Sequence, residues 1–370
     1  MSKKTKHDNK VLAPQDSNQV EGPGIDHWPL LSVEVVLAIC HSSLRYLPQK
    51  VLVTLSMVNK RMRDLSRDDT LWTELTLDYE DILQSEGSCR GLVERCKKLA
   101  SLKITHKENF FSSVNSNIMP VVIGAKNCLN SLDVDWSLNY WTDAAMCELS
   151  KMKGLRNLSF AFNSDQNPKR LSNLTQLDQL EILKINYKGI GEKETLLKQL
   201  RNFDRAMKNV FQQLKKLKIV DFPFPSDDML VALASTNPGL KVLRIRGGFY
   251  SVKSIEVLSN KCPDLEELQI DYLRINSEEE IEKFCFPKLK HLDISCFYTS
   301  YMRLLARRLS IEETLTKLIE KHECLQSFNL RGFSSVAPTR AHGFSIFAET
   351  ESLIQGYRRK YSEINFTIED

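Results

Sequence analysis

The sequence has no apolar run that could cross a bilayer: its longest, Val35 to Cys40, falls far short of the ~20 residues a membrane helix needs. Its first ten residues, MSKKTKHDNK, are polar and lack the apolar core of a signal peptide. The nine cysteines are odd in number and scattered, with no CxxC pair and no Cys/His spacing that closes a tetrahedral zinc site. They read as reduced, buried thiols, so a reducing compartment, cytosol or nucleus, is expected. Also missing are a phosphate loop, a GxGxxG after a strand, an HExxH and a GxSxG. The histidines His27, His41, His106, His291, His322 and His342 stand apart along the chain, with no nucleophile-and-base constellation. No catalytic, metal-binding or cofactor-binding residues are assigned, and no enzymatic activity is expected. Strong net charge is absent too. With 51 basic against 47 acidic residues, no overall polyelectrolyte character draws the chain to nucleic acid or anionic membrane, and any basic patch must be local.

What is present is the balance of a globular protein, 42% hydrophobic and 26% charged over 370 residues. Residues 1–24 combine Lys3, Lys4, Lys6 and Lys10 with polar residues and a Gly-Pro-Gly stop, and read as a disordered basic tail. Residues 25–77 form a small unit whose apolar positions recur at helical spacing through Val35, Leu37 and Ile39, through Val51, Leu52, Leu55 and Val58, and again toward Leu71 and Trp72. The spacing predicts three short helices. So short a unit gives little core of its own and should lean on a neighbour or a partner.

From Trp72 onward an apolar-x-x-apolar-x-apolar motif recurs eleven times. The copies begin at Trp72, Leu99, Leu129, Leu155, Leu180, Leu214, Leu240, Leu265, Leu289, Leu325 and Tyr361, at offsets of 24 to 36 residues. The sixth is read as Leu214/Leu217/Ile219 and the last as Tyr361/Ile364/Phe366. In each copy the last two apolar positions are two apart, so both point inward from one short parallel strand. Helical segments fill the intervals. Ser277 with Glu280 and Ser310 with Glu313 match a capping box, and Ser226 precedes Asp227 and Asp228 at a helix entrance. The longest early interval carries Leu196, Leu200, Phe203, Met207, Val210 and Phe211 on one helical face. One repeat cannot bury its own apolar face, whereas stacked repeats share a continuous core. The expected fold over 78–370 is an α/β leucine-rich-repeat horseshoe solenoid, strands concave and helices convex, closed by a C-terminal capping strand through Ile364, Phe366 and Ile368.

The segment LVTLSMVNKRMRDLSRDDTLWTELTL, Leu52 to Leu77, resembles the second half of the F-box motif. Leu55, Ser56, Met57 and Val58 stand for its leucine-serine-leucine-valine stretch, Lys60 and Arg61 for its basic pair, and Leu71 and Trp72 for its leucine-tryptophan. Tyr46, Leu47 and Pro48 fit upstream, as do Glu34, Val35 and Ile39, and repeats such as NKCPDLEELQI are similar to cysteine-containing leucine-rich repeats. Together they resemble the F-box and leucine-rich-repeat family. The asparagine that commonly follows the last strand leucine by three residues occurs only at Asn163.

The resemblance implies a substrate adaptor: the F-box binds the Skp subunit of a cullin-RING ubiquitin ligase, and the repeats hold a protein for ubiquitination. The candidates for the Skp contact are Leu31, Val35, Ile39, Leu47, Pro48, Leu52 and Val58, any of which could equally pack inside the F-box. On the repeats, strand parity places Lys184, Lys216, Lys218, Arg244 and Arg246 outward as a basic band followed by acidic Glu267, Asp271 and Asp293. Such a band would capture an acidic or phosphorylated substrate segment; alternatively the charges pair across strands on a wet surface. Trp136, Tyr140 and Trp141, three large rings in six residues, are candidate interface anchors, the alternative being that they plug gaps between turns. A ligase-independent scaffold or RNA-binding repeat protein is the other function class the sequence allows.

Overall fold

In the computed structural model the chain divides into two compact units, Met1–Arg67 and Asp68–Asp370. The structure describes residues 60, 68, 71–105, 119–125, 128–134, 142–163, 167–188, 193–223, 225–247, 250–271, 278–295, 311–331, 352 and 354–369. The second unit is built on eleven strands: β1 (Glu74–Asp78), β2 (Ser101–Thr105), β3 (Ser131–Val134), β4 (Asn157–Asn163), β5 (Ile182–Lys188), β6 (Ile219–Pro223), β7 (Val242–Arg246), β8 (Glu267–Asp271), β9 (His291–Ser295), β10 (Ser327–Arg331) and β11 (Asn365–Glu369). They form one open sheet in chain order, β1 through β11, and every pairing is parallel. The chain crosses back between strands through α1 (Tyr79–Arg95), α2 (Met119–Gly124), α3 (Asp143–Ser150), a 3₁₀ helix (Pro168–Gln176), α4 (Lys193–Gln213), α5 (Asp227–Thr236), α6 (Val252–Lys261), α7 (Glu278–Lys283) and α8 (Ile311–Glu320). Each of these packs on the next in chain order, so the helical layer repeats the order of the sheet.

Alternation within each strand explains the core. Leu75 and Leu77, Leu102 and Ile104, Leu132 and Val134, Leu158 and Phe160, and Leu183 and Ile185 are all buried, while the residues between them are half-buried or exposed. The leucine three residues before each inward pair is buried too: Leu99, Leu129, Leu155, Leu180, Leu240, Leu265, Leu289 and Leu325 all lie in the turn entering the strand. Full burial of such a side chain contributes about 1.5–3 kcal/mol, so each copy of the motif brings three anchors to one continuous core.

The sixth copy departs from the sequence expectation. Leu183 faces Val220, and Val220 faces Leu243, so the inward triplet is Leu217/Val220/Phe222 and not Leu214/Leu217/Ile219. The segment LKKLKIVDF offers both spacings, and burial decides between them. The adopted register buries Val220 and Phe222 and turns Asp221 outward, whereas the expected one would expose both apolar groups and bury the carboxylate. A one-residue slip reverses every side chain of a strand. At the far end, Phe366 pairs with Phe328 and Ile368 with Leu330, so the last strand is shifted two residues from the expected alignment with the inward face unchanged.

The helix entrances follow their caps. Ser226 accepts a hydrogen bond from the Met229 N–H at the start of α5 (3.3 Å), as its position before two aspartates suggested; Ser277 and Ser310 lie outside the described residues. The long interval after β5 is occupied by α4, which buries Phe203, Met207, Val210 and Phe211. Ahead of each strand the ladder extends by one residue. The carbonyls of Thr73, Ala100, Asn130, Arg156, Glu181, Lys218, Lys241, Glu266 and Lys290 each accept two N–H groups from the next turn.

A second polar ladder runs inside the turns between helix and strand. Asn237 is 1% exposed; its Oδ1 accepts the Leu217 N–H of the preceding turn (2.8 Å), and its Nδ2 donates to Leu233 O and Thr236 Oγ1. The Cys262 thiol occupies the same place one repeat later and donates to Asn237 O (3.4 Å). His322 accepts the Phe286 N–H through Nε2 (3.3 Å), while Nδ1 meets Leu318 O at 2.6 Å. Asn237 and His322 thus satisfy the Leu217 and Phe286 N–H groups, which would otherwise be buried unpaired, while the Cys262 thiol adds a second donor to a carbonyl that already accepts the Leu240 N–H. The thiol that the sequence assigned to the core is therefore a structural donor, and its burial pushes its pKa up to about 12.

Candidate functional site: the outer face of the sheet

The residues between the inward pairs form rows across the outer face, because parallel strands in register place equivalent residues side by side. The middle row reads Lys103, Asp133, Ser159, Lys184, Asp221, Arg244, Gln269, Asp293 and Asn329 from β2 to β10. Its charges are joined diagonally and across. Lys103 meets Asp133 at 3.6 Å, Arg246 donates to Asp221 at 2.9 Å, Arg244 to Glu267 at 2.6 Å, and Arg331 to Asp293 at 2.8 Å. The hydrogen bond that Arg244 donates to Glu267 raises the pKa of its guanidinium against the opposing effect of partial burial. Asp271 takes the Gly247 N–H at 3.0 Å; Gly247 has φ 71°, a left-handed conformation that glycine adopts without the cost a side chain would bring.

The five-residue basic band is therefore not brought together. Lys184, Arg244 and Arg246 do lie on the outer face, but the row between β5 and β7 carries Asp221 where Lys218 was expected. Lys218 lies one residue before β6 and pairs with Glu181 at 2.7 Å. Lys216 sits two residues earlier still, in the turn, where its ammonium donates to Gln179 Oε1 at 2.6 Å. The register of β6 is the cause: the slip that turns Val220 and Phe222 inward moves both lysines off the strand. What remains is an alternating network of ion pairs, the arrangement that cross-strand pairing favours. Trp136, Tyr140 and Trp141 lie outside the described residues, as do Leu31, Val35, Ile39, Leu47, Pro48, Leu52 and Val58.

The sequence reading also missed an apolar row. Ile182, Ile219 and Val242 are direct register partners on β5, β6 and β7, all half-buried on the outer face. They adjoin Lys184, Asp221 and Arg244 and form the only stretch of the described outer face where three neighbouring strands present branched aliphatic residues in line. The signal lay in the motif itself, since Ile182 and Val242 immediately precede the inward leucines Leu183 and Leu243 and Ile219 precedes Val220, so that branched aliphatic residues fall on both faces at these three described strands. Chemically, this centre combines aliphatic surface with one cation, Lys184, that has no ion pair among the described residues, and with two arginines already held by carboxylates. It is suited to packing against a polypeptide whose own charged groups can exchange into the network.

Among the described residues, no group of three or more His, Cys, Asp or Glu side chains is placed to hold a metal ion, and no helix is long and apolar enough to cross a membrane. The sequence matches no family model and no curated protein.

Proposed function

We propose that this chain is the substrate-recognition adaptor of a Skp/cullin/F-box-type ubiquitin ligase. In this reading residues 25–77 form the F-box that the sequence resembles and bind the Skp subunit through Leu31, Val35, Ile39, Leu47, Pro48, Leu52 and Val58. The sheet unit is a leucine-rich-repeat horseshoe, its outer sheet face concave, and it holds a protein substrate; no reaction is carried out by the chain itself. Holding reactants together is the contribution such an adaptor makes to rate. The observation that carries the reading is the sheet of eleven parallel strands in chain order, with the described strands and helices each packed on their neighbours in that order. That architecture leaves one long sheet face for a partner, and it follows directly on a segment carrying the F-box pattern. The substrate contact is proposed at Ile182, Ile219 and Val242 with Lys184, Arg244 and Arg246 around them, and at Trp136, Tyr140 and Trp141.

The test is affinity purification of the tagged full chain from cells, followed by mass spectrometry. Recovery of a Skp subunit and a cullin, lost in a Leu47→Ala/Pro48→Ala/Leu52→Ala variant that still folds, is the expected outcome. Lys184→Glu/Arg244→Glu should keep those subunits and lose other partners. A chain that brings down no ligase subunit in the wild-type form refutes the adaptor reading.

A further inference from the structure

The two lysines displaced from the strand face belong to a different surface: the edge of the sheet where the chain turns from helix into strand. Six consecutive turns, residues 151–156, 177–181, 214–218, 237–241, 262–266 and 286–290, place nine basic residues on this edge against four acidic ones. The whole chain, by contrast, carries a net charge of only +4. The turns are continuous, each hydrogen-bonded to the next through the carbonyl before its strand, and the excess is local: it lies in 151–156, 214–218, 237–241 and 286–290, while 177–181 and 262–266 carry only acidic charge.

The ion pairs on the edge do not cancel this charge. Glu181 is shared by two cations, Arg156 on Oε1 at 3.0 Å and Lys218 on Oε2 at 2.7 Å. Glu266 is shared in the same way by Lys241 at 3.2 Å and Lys290 at 2.6 Å. Glu181 and Glu266 each have both oxygens occupied and are outnumbered two to one, while Asp264 pairs with Lys288 alone at 2.6 Å and Lys151 is held by Glu148. Lys153 and Lys216 have neutral partners, the carbonyl oxygen of Gln176 at 2.9 Å and the side-chain amide oxygen of Gln179 at 2.6 Å. Side chains here remain open to water, with 61% of Arg156, 54% of Lys218 and 54% of Lys241 exposed.

We propose that this strand-entry edge docks an extended acidic polypeptide segment, laid across the turns at right angles to the strands. The proposal is independent of the adaptor reading, since it concerns a surface other than the outer sheet face and needs no ligase subunit. Five steps between turns of about 4.8 Å each span roughly 24 Å, which is the length of about seven extended residues. Glutamates or aspartates on such a segment exchange into the pairs that Glu181 and Glu266 now occupy and meet the unmatched ammonium groups beside them. A nucleic acid fits less well. Single strands are held by bases stacked on exposed rings, and the only aromatic residue in these six turns is Phe286, which is 1% exposed.

The experiment measures binding of fluorescein-labelled poly-glutamate and of oligo-uridine RNA, each about ten units long, to the full chain by fluorescence anisotropy. The edge variant is Lys153→Glu/Lys215→Glu/Lys216→Glu, and the charge-matched control is Lys198→Glu/Arg201→Glu/Arg205→Glu on exposed positions of α4. Poly-glutamate should bind the wild type, weaken as salt rises from about 50 to about 200 mM, weaken at least about tenfold in the edge variant and stay within about twofold in the control. Should the glutamate variant fail to fold, Lys153→Gln/Lys215→Gln/Lys216→Gln carries the same test with a smaller loss. Absent or salt-insensitive binding by the wild type, or equal losses in edge and control variants, overturns the proposal. Tighter binding of the RNA than of the peptide, lost in the edge variant, overturns it in favour of a nucleic acid.

Discussion

Replacing Asn237 with alanine should destabilise the repeat unit well beyond what a polar-to-alanine change in a turn normally costs. The amide is 1% exposed and makes three hydrogen bonds, one of them to the Leu217 N–H at 2.8 Å, a group the preceding turn leaves without another acceptor. Removing the acceptor leaves that N–H buried and unpaired, which costs about 1–3 kcal/mol, and losing the bond to Thr236 adds about 1 kcal/mol. The Leu233 carbonyl also accepts the Asn237 backbone N–H, so it contributes little. A net loss of about 2–4 kcal/mol is expected. Asn237→Asp keeps an acceptor for Leu217 but sets a carboxylate against Leu233 O, so at neutral pH it should be no milder than alanine. Equilibrium urea unfolding measures the loss, and hydrogen exchange locates it at the Leu217 amide. A change below about 0.5 kcal/mol with unchanged Leu217 protection would refute the role given to the turn ladder.

Further outcomes follow from the same packing. Burial holds the His322 pKa below the ordinary value of 6.5, with one ring nitrogen donating to Leu318 O and the other accepting from Phe286 N–H. The unfolded chain then binds a proton that the folded chain does not, so stability should fall as pH drops below 6.5; His322→Gln should flatten that slope in urea midpoints taken across pH 5 to 7. Phe222→Ala, at a fully buried site, should cost about 3–5 kcal/mol, whereas Ile219→Ala, half-buried on the outer face, should cost less than half as much. The reverse order, with Ile219→Ala the costlier, would mean that β6 is paired in the other register.

Most of the repeat architecture was legible because Leu180, Leu183 and Ile185, and their counterparts in other copies, have only one spacing that buries three apolar groups. The segment LKKLKIVDF was not legible, because leucine, isoleucine, valine and phenylalanine satisfy the motif in two overlapping ways. What separates them, an aspartate out and a phenylalanine in, appears only when the neighbouring strands are in place. The basic band fell with that register, since Lys216 and Lys218 counted as strand residues only in the rejected alignment. Ser226 was readable as a cap from Asp227 and Asp228 beside it. Asn237 was not readable as a ladder group, because NPGL has the composition of an exposed turn and only stacking on the preceding repeat buries its amide. The apolar row Ile182, Ile219 and Val242 was in plain view by parity once β6 was aligned, and hidden until then.

The register of β6 decides which side chains any partner of this sheet meets, and thiol accessibility reads it directly. Asp221→Cys and Phe222→Cys should be compared in the folded chain for their rate of alkylation over the wild-type background. Rapid modification at 221 with protection at 222 until the chain is unfolded is the expected result. Protection at 221 with rapid modification at 222 would place the strand in the opposite register and remove the outer face described for it.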